Sequence, residues 1–380
     1  MTLVYLVAGE ASGDLLGGRL MAALRRQAPE LEFAGIGGER MAAEGLHSLF
    51  PMRELSLMGL LEVLPSLRRL ARRLTEAEAD VLTRRPDVVV TIDAPGFTLR
   101  LARRLRRHGI KVIHYVAPQV WAWRPGRVKR IATEVDEILT LLPFEAPLFE
   151  AAGIAVRFVG HPVLESGADH GDAARFRAHH GIAATERVVL VMPGSRRGEV
   201  RRLGRIFGAA LQHLATTEPG IRPVVALSAP VEHAVRAATA TWSVPPILVQ
   251  TPEEKADAYA AAAAGLIKSG TSSLEVALAG VPHIVGYKLN EVTARIAWLL
   301  LKVRYASLVN LLLDRMVVPE YLQSRCTPGN LADGLRGLLR EPDRIAAQRA
   351  GFAEALDRLR PPAGLPSEAA ATAVLKALQK

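Results

Sequence analysis

The sequence predicts an α/β protein made of two doubly wound, parallel-sheet lobes. Three observations carry that expectation. Short runs rich in Val, Ile and Leu alternate with longer amphipathic segments. The alternation pauses near Gly160 and restarts near Arg187. The length, 380 residues, also exceeds what one compact core ordinarily organises. Continuous apolar runs are expected where helices cover both faces of a sheet, and strands joined by helices imply parallel pairing with right-handed crossovers.

Taken in order, LVYLVA at 3–8 predicts a first strand and 15–26 the helix after it; LEFAGIG at 31–37 predicts a second strand, with a short helix over 39–44. DVVVTID at 87–93 is followed by a helix over 99–107, then by strands at 111–118 and 137–143. Gly160, His161, Pro162 and the polar stretch 166–172 read as a linker. RVVLVM at 187–192 opens the second lobe, and RPVVALSA (222–229), PILVQT (246–251), AGLIKS (264–269) and VPHIVGYK (281–288) continue it. The expected division is 1–164, 165–355, and a helical tail over 356–380 that packs back on the first lobe.

Composition narrows the class. With 49% hydrophobic and 23% charged residues the chain has ample material for a core and none of the marks of disorder. The single cysteine, Cys326, excludes an intramolecular disulfide and a cysteine-rich metal site, which fits a reducing compartment. MTLVYLVAGEASGD lacks a basic region before its apolar run, so a signal peptide is not expected. The nearest approach to a spanning segment, RIAWLLLKVR at 295–304, is interrupted by charge.

The net charge of +10 reflects an excess of arginine arranged in clusters, notably at 68, 69, 72, 73 and at 100, 103, 104, 106, 107. Such a field attracts any polyanion, and solvated helix faces produce the same pattern. No aromatic-interleaved RNA-binding strand or DNA-reading helix is apparent, so nucleic acid is not an expected partner. From Ser66, a helix would set Leu67, Leu70 and Leu74 on one face and arginines on the other; that arrangement suits either an anionic bilayer interface or a core-facing helix with a solvated back.

In open parallel sheets ligands bind beyond the carboxyl ends of the strands, so the loops there hold the candidate chemistry. After the first strand come Gly9, Glu10, Ser12, Gly13 and Asp14, which read either as a close-approach loop or as an ordinary turn with a cap. After the third comes Asp93, a carboxylate placed to accept a proton from a substrate hydroxyl or to cap the next helix. Gly194, Ser195 and Arg196 offer an amide, a hydroxyl and a forked guanidinium suited to a diphosphate; the lysine and spacing of a Walker loop are absent. Lys268, Gly270, Thr271 and Ser272 precede a helix start that favours an anion, and Glu275, one turn in, suits ribose hydroxyls or the helix N-terminus. No Asp-X-Asp motif stands beside these residues. His114 and His161 lack a zinc-helix partner, so no metal is expected.

These motifs, in this order, resemble the lipid-A-disaccharide synthase family of glycosyltransferases over nearly the whole chain: GEASGD at 9–14, MGLLEVLP at 58–65, TIDAPGFTLRLA at 91–102, HYVAPQVWAWRPGRVKRI at 114–131, GHP at 160–162, PGSRRGEV at 193–200, KSGTSSLE at 268–275, SLVNLL at 307–312 and VPEYLQ at 318–323. YVAPQVWAWR is the most specific of them; GSR or SGT alone would be weak. Gly96, Thr98 and Val309 depart from the family's usual acidic residue, asparagine and proline.

The resemblance implies a GT-B type pair of Rossmann-like lobes with the active site in the cleft between them. It implies transfer from UDP-2,3-diacylglucosamine to 2,3-diacylglucosamine 1-phosphate, without a metal or other cofactor. It also implies peripheral attachment to the cytoplasmic face of the inner membrane of a Gram-negative-type bacterium, on an anionic surface; oligomeric state stays open. Asp93 matches the family's essential aspartate and is the expected base, with Arg196 offsetting charge on the departing diphosphate. Gly194, Ser195, Lys268, Gly270, Thr271, Ser272, Glu275, Asn310, Glu320 and Gln323 are the expected donor residues. Glu10, Ser12, Asp14, Met58, Glu62, Trp121 and Trp123 are the expected acceptor or acyl-chain contacts. A UDP-N-acetylglucosamine 2-epimerase, which shares this architecture, and a non-catalytic anionic-lipid-binding protein are the alternatives.

Overall fold

The computed structural model describes residues 2–55, 63–120, 125–290 and 303–379. The chain divides into two units: residues 1–162 with 359–380, and residues 163–358.

The first unit is built on a six-stranded sheet of order β2-β1-β3-β4-β5-β6, all parallel. Its strands are β1 (Leu3–Ala8), β2 (Glu32–Ile36), β3 (Val88–Ile92), β4 (Val112–Tyr115), β5 (Glu137–Thr140) and β6 (Ala155–Phe158). Helices α1 (Ala11–Gln27), α2 (Glu39–Ala43), α3 (Val63–Arg84), α4 (Thr98–Arg106), α5 (Val128–Ile131) and α6 (Ala146–Glu150) connect them. The continuous apolar strands are explained by burial on both faces. Tyr5, Val7 and Val89 point into one core, while Val4, Leu6, Val88 and Val90 point into the other. Each such side chain contributes roughly 1.5–3 kcal/mol.

Helix α3 begins before Ser66 and places Leu70, Leu74, Ala77 and Val81 against the first of these cores. Its described apolar face is therefore chiefly a core face, with Leu70 and Leu74 only 6% and 7% exposed.

The second unit repeats the plan with order β12-β11-β10-β7-β8-β9, again parallel. The strands are β7 (Arg187–Met192), β8 (Ile221–Ala226), β9 (Ile247–Val249), β10 (Ala262–Lys268), β11 (His283–Tyr287) and β12 (Glu320–Leu322). The helices are α7 (Ala173–His179), α8 (Arg197–Thr217), α9 (Glu232–Thr239), α10 (Pro252–Ala261), α11 (Ser272–Leu278), α12 (Leu308–Leu313), α13 (Pro328–Arg340) and α14 (Pro342–Arg358). A last helix, α15 (Pro366–Leu378), belongs to the first unit, where Ala370, Ala371, Ala373 and Val374 are fully buried in the core that also holds Leu20 and Leu24 of α1. Small side chains let the two helices approach closely. Among the described residues no helix is long and apolar enough to cross a membrane.

Each sheet reverses its winding once: between β1 and β3 in the first, and between β7 and β10 in the second. At such a switch point adjacent loops leave in opposite directions and open a crevice.

Candidate active site

Asp93 lies at the first switch point. Ala8 pairs with Ile92 and Ile92 with Tyr115, so Gly9, Asp93 and Val116 leave three neighbouring strand ends together. Asp93, Ala94 and Val116 all have left-handed backbones, with φ of 49°, 46° and 78°. Outside glycine such conformations cost of the order of 1–3 kcal/mol each, more easily for Asp than for a β-branched Val, and they persist only when the surroundings impose them. The surroundings here are specific. The Asp93 amide donates to Tyr115 O (2.9 Å), and the buried Thr98 hydroxyl donates to Asp93 O (2.6 Å). Gly9 is required by close approach, since a Cβ there would stand 2.7 Å from Ala94 Cβ. The Asp93 carboxylate is half-buried, and its side-chain contact among the described residues is a long one, Ser12 Oγ at 3.5 Å.

The other acid of the first loop has a different role. Asp14, expected as an acceptor contact, is 5% exposed, and its oxygens accept from the amides of Gly38 (2.7 Å), Arg40 (2.9 Å) and Met41 (3.1 Å). It caps α2, which begins there with no side-chain cap of its own. Glu10 and Ser12 are exposed. Met58, Glu62, Trp121 and Trp123 lie outside the described residues. Gly96 has open space where a side chain would project, so the acidic residue usual in the family would fit.

At the second switch point, Met192 pairs with Ile267, which brings the loop Pro193–Arg196 alongside Lys268. The organiser of this site is a residue the sequence reading left without a role. Glu199, 7% exposed in the first turn of α8, accepts from the Ser195 amide (3.2 Å) and faces Lys268 Nζ (3.2 Å) and Arg196 Nη1 (3.5 Å). Gly194 has φ 124°, and a Cβ there would run into the Glu199 side chain at 2.6 Å. Lys268 also stands 5.5 Å from the centroid of the Tyr287 ring, a cation–π contact. Burial, and then the negative Glu199, push the Tyr287 hydroxyl pKa up. Glu199 was legible as an acid at the third helical position, where carboxylates cap helix starts; nothing local signalled Tyr287. Arg196 itself is 80% exposed and keeps its fork available.

Beyond Lys268, Gly270 has φ 155°, Thr271 is exposed, and Ser272 opens α11. Glu275, one turn on, lies near Lys255 and Tyr259. Burial lowers the Lys255 pKa and Glu275 opposes that shift, while burial followed by Glu275 raises Tyr259.

Two expected donor residues are committed elsewhere. Asn310 is fully buried; its Nδ2 donates to Val318 O and Glu320 Oε1, and its Oδ1 accepts from the amides of Val317 and Val318, all at 2.8 Å. That exhausts a carboxamide's two donors and two lone pairs. Glu320 further accepts from the amides of Ala306 (2.9 Å) and Ser307 (2.8 Å). The pair fastens the chain between 306 and 320. Gln323 has φ 50° and accepts from the Leu289 amide (3.3 Å), tying the loop after β12 to the loop after β11.

His114 and His161 are buried, and burial lowers both pKa values to about 4. His114 Nδ1 shares a hydrogen bond with the Thr91 hydroxyl at 2.8 Å. Among the described residues one group has ligand atoms close enough together for a metal ion: His179, His180 and Glu254, within 4.8 Å of one another. His180 Nε2 already stands 3.3 Å from the Glu254 carboxylate.

A family model described as lipid-A-disaccharide synthetase matches residues 4–374. The lipid-A-disaccharide synthase of Gluconobacter oxydans (strain 621H) is 50% identical over 378 residues, covering 100% of this chain and 91% of the relative. That of Pseudomonas aeruginosa (strain UCBPP-PA14) is 44% identical, covering 99% and 98%. Among solved structures, UDP-GlcNAc 2-epimerase from Neisseria meningitidis, bound to UDP-GlcNAc, superposes with a TM-score of 0.63 at 13% identity over 100% of both chains. MurG of Acinetobacter baumannii gives 0.56 at 16%, over 100% of this chain and 99% of that one. Identities that low speak to the two-lobe Rossmann-like fold alone, whereas the full-length likeness separates the synthases from the epimerases. The chain belongs to the lipid-A-disaccharide synthase family and is a glycosyltransferase.

Proposed function

We propose that the chain transfers 2,3-diacylglucosamine from UDP to the 6-hydroxyl of 2,3-diacylglucosamine 1-phosphate, with inversion at the anomeric carbon, giving the β-1′,6-linked disaccharide 1-phosphate and UDP. What carries the reading is the full-length family likeness. Asp93 takes the proton of the acceptor hydroxyl as its oxygen attacks the anomeric carbon and the bond to the diphosphate breaks. The half-buried, lightly engaged carboxylate, held by strained backbone at a switch point, supports that choice. The diphosphate leaves toward Gly194, Ser195, Arg196 and Lys268, whose amide, hydroxyl and cations offset the developing charge; Thr271, Ser272, Gly270 and Glu275 complete the nucleotide cradle. Arg196 and Lys268 outweigh Glu199 at that site by one positive charge, and the reaction is proposed to need no metal. The protein works as a peripheral protein on the anionic cytoplasmic face of the inner membrane, where both substrates reside.

The test is to incubate the protein with both substrates in detergent, with and without EDTA, and to follow UDP and disaccharide by mass spectrometry. Acceptor-dependent formation of both, unchanged by EDTA, is expected. Asp93→Asn should cut turnover by about 10²–10⁴-fold with an unchanged melting temperature. A folded protein that forms no disaccharide under any of these conditions would sink the assignment of substrates.

A further inference from the structure

Between α3, α4 and α5 the first unit carries a pocket of about 380 Å³ with two kinds of wall. Its floor is apolar: Leu70, Leu74 and Phe97, core residues only 6%, 7% and 3% exposed. Its rim is cationic: Arg100, Arg103 and Arg107, spaced i, i+3, i+7 along one face of α4 and its C-terminal extension, and all exposed. The neighbouring arginines are neutralised. Arg104 pairs with Glu78 (2.8 Å), Arg106 with Asp136, and Arg130 with Glu134 (2.9 Å). The three on the rim make no side-chain ion pair or hydrogen bond among the described residues.

Three unneutralised guanidinium groups facing one pocket repel one another, and an anion seated among them relieves that repulsion. Guanidinium forks suit phosphate oxygens in a way a point charge does not. The apolar floor rejects a fully hydrated anion and suits the glycerol and first acyl carbons of an amphiphile. Nucleic acid would call for open aromatic faces on which bases stack, and the pocket's one aromatic ring, Phe97, is buried. We propose that this pocket seats the phosphate of an anionic membrane phospholipid. It rests on the membrane attachment proposed above and gives that attachment a discrete site in place of a diffuse field.

The experiment is co-sedimentation of the full chain with phosphatidylcholine vesicles, with and without phosphatidylglycerol. The variants are Arg103→Lys/Arg107→Lys, Arg103→Gln/Arg107→Gln, and Arg236→Gln/Arg336→Gln as a charge-matched control in the second unit. The site predicts that the lysine pair, which keeps the charge and loses the forks, binds phosphatidylglycerol vesicles roughly fivefold or more weakly. The glutamine pair should lose roughly 30-fold or more, since two surface charges alone are worth about that much. The control pair should bind like the parent. Arg103 and Arg107 are exposed and, among the described residues, unpaired, so the rim variants should keep the parental melting temperature; Arg236 is exposed and Arg336 partly exposed, each in a surface ion pair worth at most about 1 kcal/mol, so the control pair should lose little. Parental binding by the lysine pair, with equal losses in the glutamine pair and the control, would mean a diffuse field and no site. Release by millimolar inorganic phosphate, but not by chloride at equal ionic strength, would make the ligand a free phosphate and overturn the lipid assignment. Failure of the parent protein to bind phosphatidylglycerol vesicles would overturn both the pocket and membrane attachment. Disaccharide formation in detergent, measured on the same variants and expected to be unchanged, reports on the transferase reading separately.

Discussion

Replacing Glu199 by Gln tests whether this carboxylate holds the second switch point together. The Glu199 side chain is 9% exposed, its partner Lys268 is 16% exposed, and their charged atoms are 3.2 Å apart. At that separation two unit charges attract by about 5 kcal/mol in an effective dielectric of about 20. Gln keeps an oxygen for the Ser195 amide but leaves the lysine charge poorly compensated. Removing one partner of a fully buried pair costs about 3–5 kcal/mol, and Lys268 retains some water, so a loss of about 2 kcal/mol is expected. For a unit spanning 163–358 that is a fall in melting temperature of roughly 4–8 °C. Thermal and urea unfolding of Glu199→Gln, Lys268→Met and the double variant complete a cycle. The double variant, with neither charge, should be more stable than the sum of the single losses allows, by about 1–2 kcal/mol. The donor KM should rise in Glu199→Gln, because Lys268 and Arg196 lose the negative charge that they face. A coupling below about 0.5 kcal/mol would refute the claim that Glu199 holds Lys268.

Asp14→Ala strips the acceptor from three amides at the start of α2 and should cost about 3 kcal/mol in the first unit, with Asp14→Asn costing about half; chemical denaturation reads both, and a loss under about 1 kcal/mol for Ala would contradict the capping role. Gly9→Ala forces the loops after β1 and β3 apart and should lower kcat/KM by about 10²-fold while costing only about 1–3 kcal/mol of stability; equal kcat/KM in a folded variant would show that this contact does not position Asp93. His114 and His283 are fully buried, and burial lowers each pKa to about 4, against about 6.5 in the unfolded chain. Between those values the unfolded chain binds the extra proton and the folded chain does not, so stability is full above about pH 6.5. It falls by about 1.4 kcal/mol per pH unit per histidine as the pH drops toward 4. His283→Phe, which keeps a ring against Phe352, should flatten that slope in urea titrations across pH 4–6.5; an unchanged slope would mean another group is responsible.

The parallel strands were legible because burial on both faces leaves no room for polar alternation: Val88–Ile92 is buried throughout. Two of the four edge strands escaped the same test. β6 reads AVRF and is partly exposed, and β12 is three residues long, so neither carries a continuous apolar signal. The candidate loops were legible for a topological reason, since a strand's carboxyl end is marked by the sequence wherever the strand is. What the sequence does not carry is the destination of each polar atom. The three amides that Asp14 serves lie 24 to 27 residues away, and the lysine that Glu199 faces lies 69 residues away, so local chemistry cannot report either bond. This separates acids that look alike in one dimension. Asp14 gives its oxygens to backbone amides, Glu320 to two amides and the Asn310 side chain, and Glu199 to an amide and two cations. Asp93 alone among these four is positioned by its backbone, through two strained φ angles and the Thr98 and Tyr115 hydrogen bonds, while among the described residues its carboxylate meets only a 3.5 Å contact. A side chain held in place without its oxygens being consumed is the arrangement that proton transfer to a carboxylate requires, and it is the physical reason to propose Asp93 for that role ahead of Asp14, Glu199 and Glu320.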